Sequence, residues 1–204
     1  MPPTETPWPE IVTLNAAGVT LAPLSQAHAA DLSDAVRDGA LHRLWYTAVP
    51  APDAMAAEID RRCALADAGQ MRPFAILATL PGQDAPRAVG MTSFMNIDAR
   101  NRRLEIGSTW LRAAAQRGPV NTTCKFLLLR HAFDQLGCIA VEFRTHVMNR
   151  QSRAAIERLG ARLDGILRAH MVLTNGTIRD TAVYSITAAE WPTVRAGLLA
   201  RLES

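Results

Sequence analysis

Arg103-Leu104-Glu105-Ile106-Gly107-Ser108-Thr109-Trp110-Leu111, then Gln116-Arg117-Gly118-Pro119-Val120-Asn121-Thr122, is the stretch that decides the fold. The first run reads as a strand over 102–111, bounded by the turn residues 98–101. The second is a loop with a glycine and a proline, and a helical pattern follows it. Phe126, Leu129, Phe133 and Leu136 recur at near-helical spacing, so a helix is expected over 122–136, stopped by Gly137. Residues 139–147 then read as another strand. A strand that passes through a helix into a second strand is a βαβ crossover. Ligands in such sheets favour the crevice where a strand feeds the crossover helix, here between Leu111 and Thr122.

Outward from that unit, the N-terminal side predicts two short apolar segments, 11–14 and 19–24, around the turn Asn15-Ala16-Ala17-Gly18. Helices are expected over 28–38 and 53–68, ended by Gly39 and Gly69. Strands over 74–80 and 88–97 complete an antiparallel meander with the strand over 102–111. On the C-terminal side, Asn149 opens a short helix over 150–159 that Gly160 closes. Strands over 163–173 and 178–186 flank Asn175-Gly176, a strong hairpin signal. A last helix begins at Trp191. The class is α+β: one domain over residues 10–204 after a tail over 1–9, whose four prolines predict an extended, flexible start.

Composition narrows the function. The chain has 204 residues, 49% hydrophobic and 20% charged, with a net charge of +3, which is ordinary globular content. Lys125 is the only lysine, and the arginines are scattered and interleaved with acids. A basic face for nucleic acid is therefore not expected. Cys63, Cys124 and Cys138 are odd in number and lack CxxC spacing, so neither a disulfide framework nor a zinc ribbon is expected. No metal is expected. The absence of a signal-like start and of an ~18-residue apolar stretch predicts a cytoplasmic protein without a membrane span.

Chemistry enters at the loop. The first amides of a helix have no intrahelical acceptor, and the helix dipole is positive there. Val120, Asn121 and Thr122, with Arg117 and Lys125 near them, could cradle a pyrophosphate. The plainer alternative is a strand-to-helix loop capped by Asn121 or Thr122.

The strand 103–111 with the loop 116–121 resembles motif A of the GNAT acetyltransferases, Gln/Arg-x-x-Gly-x-Gly/Ala. Asn149-Arg150-Gln151-Ser152 with Ile156-Glu157-Arg158-Leu159-Gly160 resembles their motif B. The hairpin from Gly165 to Ile186 resembles the end of the RimJ/RimL-like branch. Two positions depart from the pattern: Pro119 and Asn121 stand where small residues, the first a glycine, are expected. The resemblance implies a mixed, mostly antiparallel sheet flanked by helices, with a splayed pair of central strands. It implies an N-acetyltransferase using acetyl-CoA and a small-molecule or peptide amine, with homodimer formation compatible. A GNAT-fold module that holds acyl-CoA without turnover is the alternative.

The same resemblance assigns roles. Gln116, Arg117, Gly118, Val120, Asn121, Thr122 and Lys125 would hold the cofactor phosphates. Trp110 and Leu111 would pair through their backbone with its pantetheine arm. Asn149 would cap its helix and donate its amide to that arm. Glu105 is the candidate base, eleven positions before Gln116; a structural carboxylate tied to an arginine is the plainer reading. Strand alternation would place Glu105, Gly107, Thr109 and Leu111 on one face. The motif B helix has no tyrosine, so the Ser152 hydroxyl is the candidate proton donor to the thiolate. A further RimL-like glutamate would fall at Met171, which leaves His170, Asp164, Asp180 and Tyr184 as substitutes. Trp45, Tyr46 and His146, with His170, would line the acceptor pocket.

Overall fold

Pro119, not Thr122, begins the central helix. Proline fits the first helical position because its missing N–H would have no helical acceptor there and its φ is already helical. In the computed structural model, which describes residues 8–203, this helix, α3, spans Pro119–Arg130, with Gly118 as its N-cap. One wide turn, His131–Gln135, follows it. Phe126, Leu127, Leu128 and Leu129 are all buried, so α3 is covered nearly all round, as a helix in the middle of a core must be. The sequence-based tail over 1–9 lies almost wholly outside the described residues; of it, Trp8 packs against the core around α3.

Before α3 come β1 (Leu14–Ala16), β2 (Val19–Pro23), α1 (Ala29–Arg37), α2 (Met55–Asp67), β3 (Met71–Ala78), β4 (Arg87–Asp98) and β5 (Arg103–Leu111). After it come β6 (Ala140–His146), α4 (Arg150–Arg158), β7 (Arg162–Val172), β8 (Ile178–Thr187) and α5 (Trp191–Glu203). β1 begins three residues later than the apolar segment at 11–14 suggested, because the hairpin turns on Ala17 and Gly18, both at positive φ. The strands form one sheet in the order β1-β2-β3-β4-β5-β6-β8-β7. Every neighbouring pair is antiparallel except β5 and β6.

Two apolar layers cover the sheet. On one face Leu104, Ile106, Val141, Phe143, Ala182 and Tyr184 pack in the cluster built around α3. On the other, Ala75, Ala88, Met91 and Trp110 pack with Leu32, Val36, Met55 and Ile59 of α1 and α2. α5 is docked by Trp191, which stacks on Phe133 at 5.3 Å and donates from Nε1 to Asp134 Oδ1 at 2.7 Å.

β5 does not alternate cleanly. Met91 faces Trp110 and Ser93 faces Gly107, so two steps on β4 span three on β5. The extra residue is accommodated at Ser108, whose φ is +50°. A bulge of this kind bends the strand and reverses its facing. Glu105 and Gly107 therefore share one face, while Thr109 and Leu111 turn to the α3 face. This corrects the single-face expectation, which assumed an unbroken pleat. Arg62, buried on α2, reaches the bulged carbonyl of Ser108 at 3.4 Å and Ser93 Oγ at 3.3 Å.

Gly90 pairs with Leu111 and lies directly against the β5 backbone. A Cβ there would stand 2.1 Å from the Trp110 carbonyl oxygen and 2.9 Å from Leu111 Cα, both backbone atoms. Gly90→Ala must shift β5 and should destabilise the chain by about 1–3 kcal/mol or more. A urea melt reads this as a lower midpoint; an unchanged midpoint would contradict the packing.

Candidate active site

β5 and β6 pair through only three rungs, Arg103 with Ala140, Leu104 with Val141 and Glu105 with Glu142. Beyond them residues 106–111 of β5 have no partner on that side, and neither has β6 from Phe143 to His146. The two strands diverge into a wedge, and Glu105 stands at its apex.

Glu105 is 4% exposed. Its Oε2 accepts a hydrogen bond from Asn96 Nδ2 at 2.6 Å and lies 3.6 Å from Arg144 Nε. Burial pushes its carboxyl above the ordinary glutamate value; the Asn96 bond and the Arg144 and Arg179 charges oppose this, and burial wins. The arginine tied to Glu105 is Arg144, since Arg103 is engaged by Glu142 at 2.6 Å. Glu142 also holds Arg144, at 2.9 Å. Gly107 leaves room for this arrangement: a Cβ there would meet Glu105 Oε1 at 2.6 Å and Met95 Sδ at 2.7 Å.

The α3 end of the wedge offers free donors. A helix that starts at Pro119 leaves the amides of Gly118, Val120 and Asn121 without intrahelical acceptors, whereas the Thr122 amide can close on Gly118. Thr122 therefore drops out of the amide cradle. No acidic side chain stands in the first turn. Arg117 is exposed at φ +60° beside these amides. Gln116 braces the loop: Nε2 donates to the Leu111 carbonyl at 2.8 Å, and Oε1 lies 3.5 Å from Gln151 Nε2 on α4.

Lys125 does not join the cradle. Its ammonium is turned into the core, where Nζ donates to Thr109 Oγ1 at 2.7 Å and approaches Thr92 Oγ1 at 3.5 Å. Burial holds its pKa below the ordinary lysine value. The bulge at Ser108 is what turns Thr109 toward it. Trp110 and Leu111 border the wedge through their backbone, while their side chains belong to opposite cores.

On the β6 side, Asn149 caps α4, with Oδ1 accepting from the Ser152 amide at 3.0 Å. Its Nδ2 has no partner among the described residues, and neither has the half-buried Ser152 hydroxyl. Trp45, Tyr46 and His146 come together, with ring centroids 5.3 to 6.4 Å apart. Trp45 is 51% exposed, so it forms a wall and not a core. Asn175 Nδ2, at the hairpin tip, donates to the Trp45 carbonyl at 3.1 Å and ties that wall to β7 and β8. His146 Nδ1 accepts from the Met148 amide at 3.1 Å, so the neutral ring carries its proton on Nε2, which is buried and unpartnered.

The substitute residues sort themselves. The Tyr184 hydroxyl donates to Glu157 at 2.7 Å and accepts from Arg153 at 2.9 Å on the α3 face, away from Glu105. Asp180 braces the hairpin through Ala169 N and Arg168, and Asp164 accepts from Ser185. His170 bonds Thr181 Oγ1 at 3.0 Å. Asp164, Ser185, Arg103, Glu142 and Arg144 line an open groove of about 510 Å³ on the opposite face, that of Glu105.

Residues 19–162 match the Acetyltransferase (GNAT) domain family. The chain belongs to the GNAT acetyltransferase family. YdaF of Bacillus subtilis (strain 168), named provisionally as a ribosomal N-acetyltransferase, is 33% identical over 102 residues, 50% of this chain and 55% of YdaF. The match thus spans about half of that relative. A GCN5-related N-acetyltransferase of Brucella melitensis superposes with a TM-score of 0.82 at 31% identity, covering 95% of this chain and 86% of its own. Mycobacterium smegmatis RimJ shares the fold at a TM-score of 0.74 and 24% identity, over 95% of each chain. The expected GNAT family and fold are borne out. Among the described residues no helix is long and apolar enough to cross a membrane, and no group of three or more His, Cys, Asp or Glu could hold a metal.

The raised Glu105 pKa is also a statement about stability. Its contribution is fully present below the unfolded glutamate pKa and is lost as pH rises through the folded value. The facing groups are Asn96 on β4, Arg144 and Glu142 on β6, and Arg179 on β8. Glu105→Gln cannot ionise, so its melting temperature should rise relative to wild type as pH increases from the ordinary glutamate value of about 4.3. A constant or falling difference as pH increases would contradict the assigned burial.

Proposed function

We propose that this GNAT acetyltransferase moves the acetyl group of acetyl-CoA to a primary amine by direct attack in a ternary complex, with Glu105 as the base. The observation that carries the reading is a buried carboxylate of raised pKa at the apex of the β5–β6 wedge. A base that works near neutral pH is ionised there yet holds a proton more strongly than an ordinary carboxylate.

The residues fit an acyl-CoA. The amides of Gly118, Val120 and Asn121 and the Arg117 guanidinium would take its phosphates. The open backbone edges of β5 and β6 would pair with the amides of the pantetheine arm, as an added strand does. Asn149 Nδ2 and Ser152 Oγ are donors with no acceptor among the described residues, at the start of the helix that follows β6. That the mycobacterial RimJ structure holds a CoA-disulfide supports the same ligand class. When bound, acetyl-CoA supplies an activated thioester carbonyl.

The chain's own residues do the rest. An ammonium has no lone pair, so the acceptor must lose a proton, and Glu105 receives it directly or through one water. Arg144 and Arg179 beside Glu105 make the pocket positive, which favours the neutral amine. Trp45, Tyr46 and His146 wall the acceptor. Ser152 is the proton donor to the departing thiolate. A module that only holds acyl-CoA is disfavoured, because binding alone gives no reason to bury Glu105 against its solvation. The provisional name of YdaF, a ribosomal N-acetyltransferase, makes a ribosomal amine one acceptor class to test.

Glu105→Gln should lower turnover about 10²–10⁴-fold, with the deficit shrinking as pH rises and more amine arrives neutral. The same variant should keep its thermal stabilisation by acetyl-CoA, which at ~100 times Kd is worth about 2.7 kcal/mol. Turnover equal to wild type from about pH 6 to about pH 9 would remove Glu105 as the base.

A further inference from the structure

The charges around Glu105 do not balance. Glu142 is shared by Arg103 and Arg144, and Glu105 faces Arg144. Arg179 is the third guanidinium of the group, and its electrostatic neighbours are Glu105 and Arg144. It forms no ion pair among the described residues. Two carboxylates therefore stand against three guanidinium groups.

Arg179 is also held in place. Its Nε donates to Thr181 Oγ1 at 2.9 Å, and the fully buried Thr181 hydroxyl is 3.0 Å from His170 Nδ1. With its oxygen accepting from Arg179, that hydroxyl is free to donate to His170. The guanidinium plane is thus fixed while both terminal nitrogens lack an acceptor among the described residues. It is half-buried, and burial holds its pKa below the ordinary arginine value. Ala182, Tyr184 and Ile186 of β8 face α3, so Thr181, one step before Ala182, lies on the opposite face with Glu105. Arg179, two residues from Thr181 and bonded to it, belongs to that face. His146, cross-strand to Thr181, also senses the Arg179 charge. Arg179 is accordingly separate from the phosphate cradle at α3 and adjacent to the aromatic wall.

A half-buried guanidinium without a carboxylate is costly unless a ligand brings the anion. Its planar fork suits a carboxylate with two parallel hydrogen bonds. We propose that Arg179 binds a carboxylate on the acceptor itself, so that the favoured substrates are amines that also carry a carboxylate. This rests on the acetyltransferase reading above. The carboxylate has two sources, the α-carboxylate of a free amino acid or an acidic side chain following a peptide N-terminus.

The test uses the full chain with acetyl-CoA and two matched pairs. One is L-alanine against L-alaninamide; the other is Ala-Asp-Ala-amide against Ala-Asn-Ala-amide. For wild type, kcat/KM should favour the carboxylate member of one pair by about ten-fold or more, and the pair that responds identifies the source. Arg179→Met should bring that ratio near one, with KM for the carboxylate member rising about ten-fold more than KM for the neutral member, whatever common change in kcat the lost charge brings. Arg179→Lys should recover part of the preference. Equal kcat/KM within both pairs, or an equal loss for both members in Arg179→Met, overturns the proposal. If no amine is turned over, the acetyltransferase reading fails separately. Calorimetry then decides this proposal in the presence of CoA, with N-acetyl-L-alanine against its amide and N-acetyl-Ala-Asp-Ala-amide against its Asn counterpart. Tighter binding of the carboxylate form in one pair, lost in Arg179→Met, supports it; equal binding in both overturns it.

Discussion

The separation of β5 from β6 after three rungs is the constraint on which the site depends. An unbroken parallel pair would satisfy both strand edges and leave no opening between them. The bulge at Ser108 prevents this by bending β5, and the structure invests in it. A buried arginine, Arg62, answers the displaced carbonyl, and Glu58 holds that arginine by a 2.7 Å ion pair. On the other face the reversed Thr109 becomes the hydrogen-bond acceptor of a buried lysine. Three non-glycine residues at positive φ, Asn96, Ser108 and Arg117, border the opening. Local strain of this kind persists only where the surroundings over-determine it.

The second constraint is electrostatic. Glu105 is drawn toward ionisation by Asn96 and two arginines and away from it by burial, and burial prevails. Its proton affinity is thus set by groups on three neighbouring strands, β4, β6 and β8. The same positive surroundings act on an incoming amine. On the proposed reading, burial raises the carboxyl of Glu105 while the arginines lower the amine, which brings the two closer in proton affinity.

Much of this was legible in the sequence. The period change around 116–122, the glycine stops and the Asn175-Gly176 turn gave the elements and the one crossover. Asn149 as the cap of its helix and an arginine beside Glu105 were legible as well. The bulge was not legible, because one extra residue in a strand leaves no period signature, and the misplaced facing of Thr109 and the misreading of Lys125 followed from it. The helix start was expected at Thr122, three residues late, because the apolar spacing becomes helical only from Phe126 while the helix opens on Pro119. Asn96 and Arg144 had faint signals: an asparagine tolerant of positive φ inside a strand, and a position two residues before His146 on the same face. Arg179 had none, since an unpaired guanidinium is a property of three-dimensional neighbours.

The central claim is that the β5–β6 wedge receives the acyl-CoA as an added strand. Amide hydrogen exchange with and without acetyl-CoA tests it most directly. Binding should slow exchange within residues 106–111 and 143–146 and at Gly118, Val120 and Asn121, while the β7 edge strand stays as it was. Protection confined to other strands, or none on the facing edges of β5 and β6 at saturating acetyl-CoA, would contradict it.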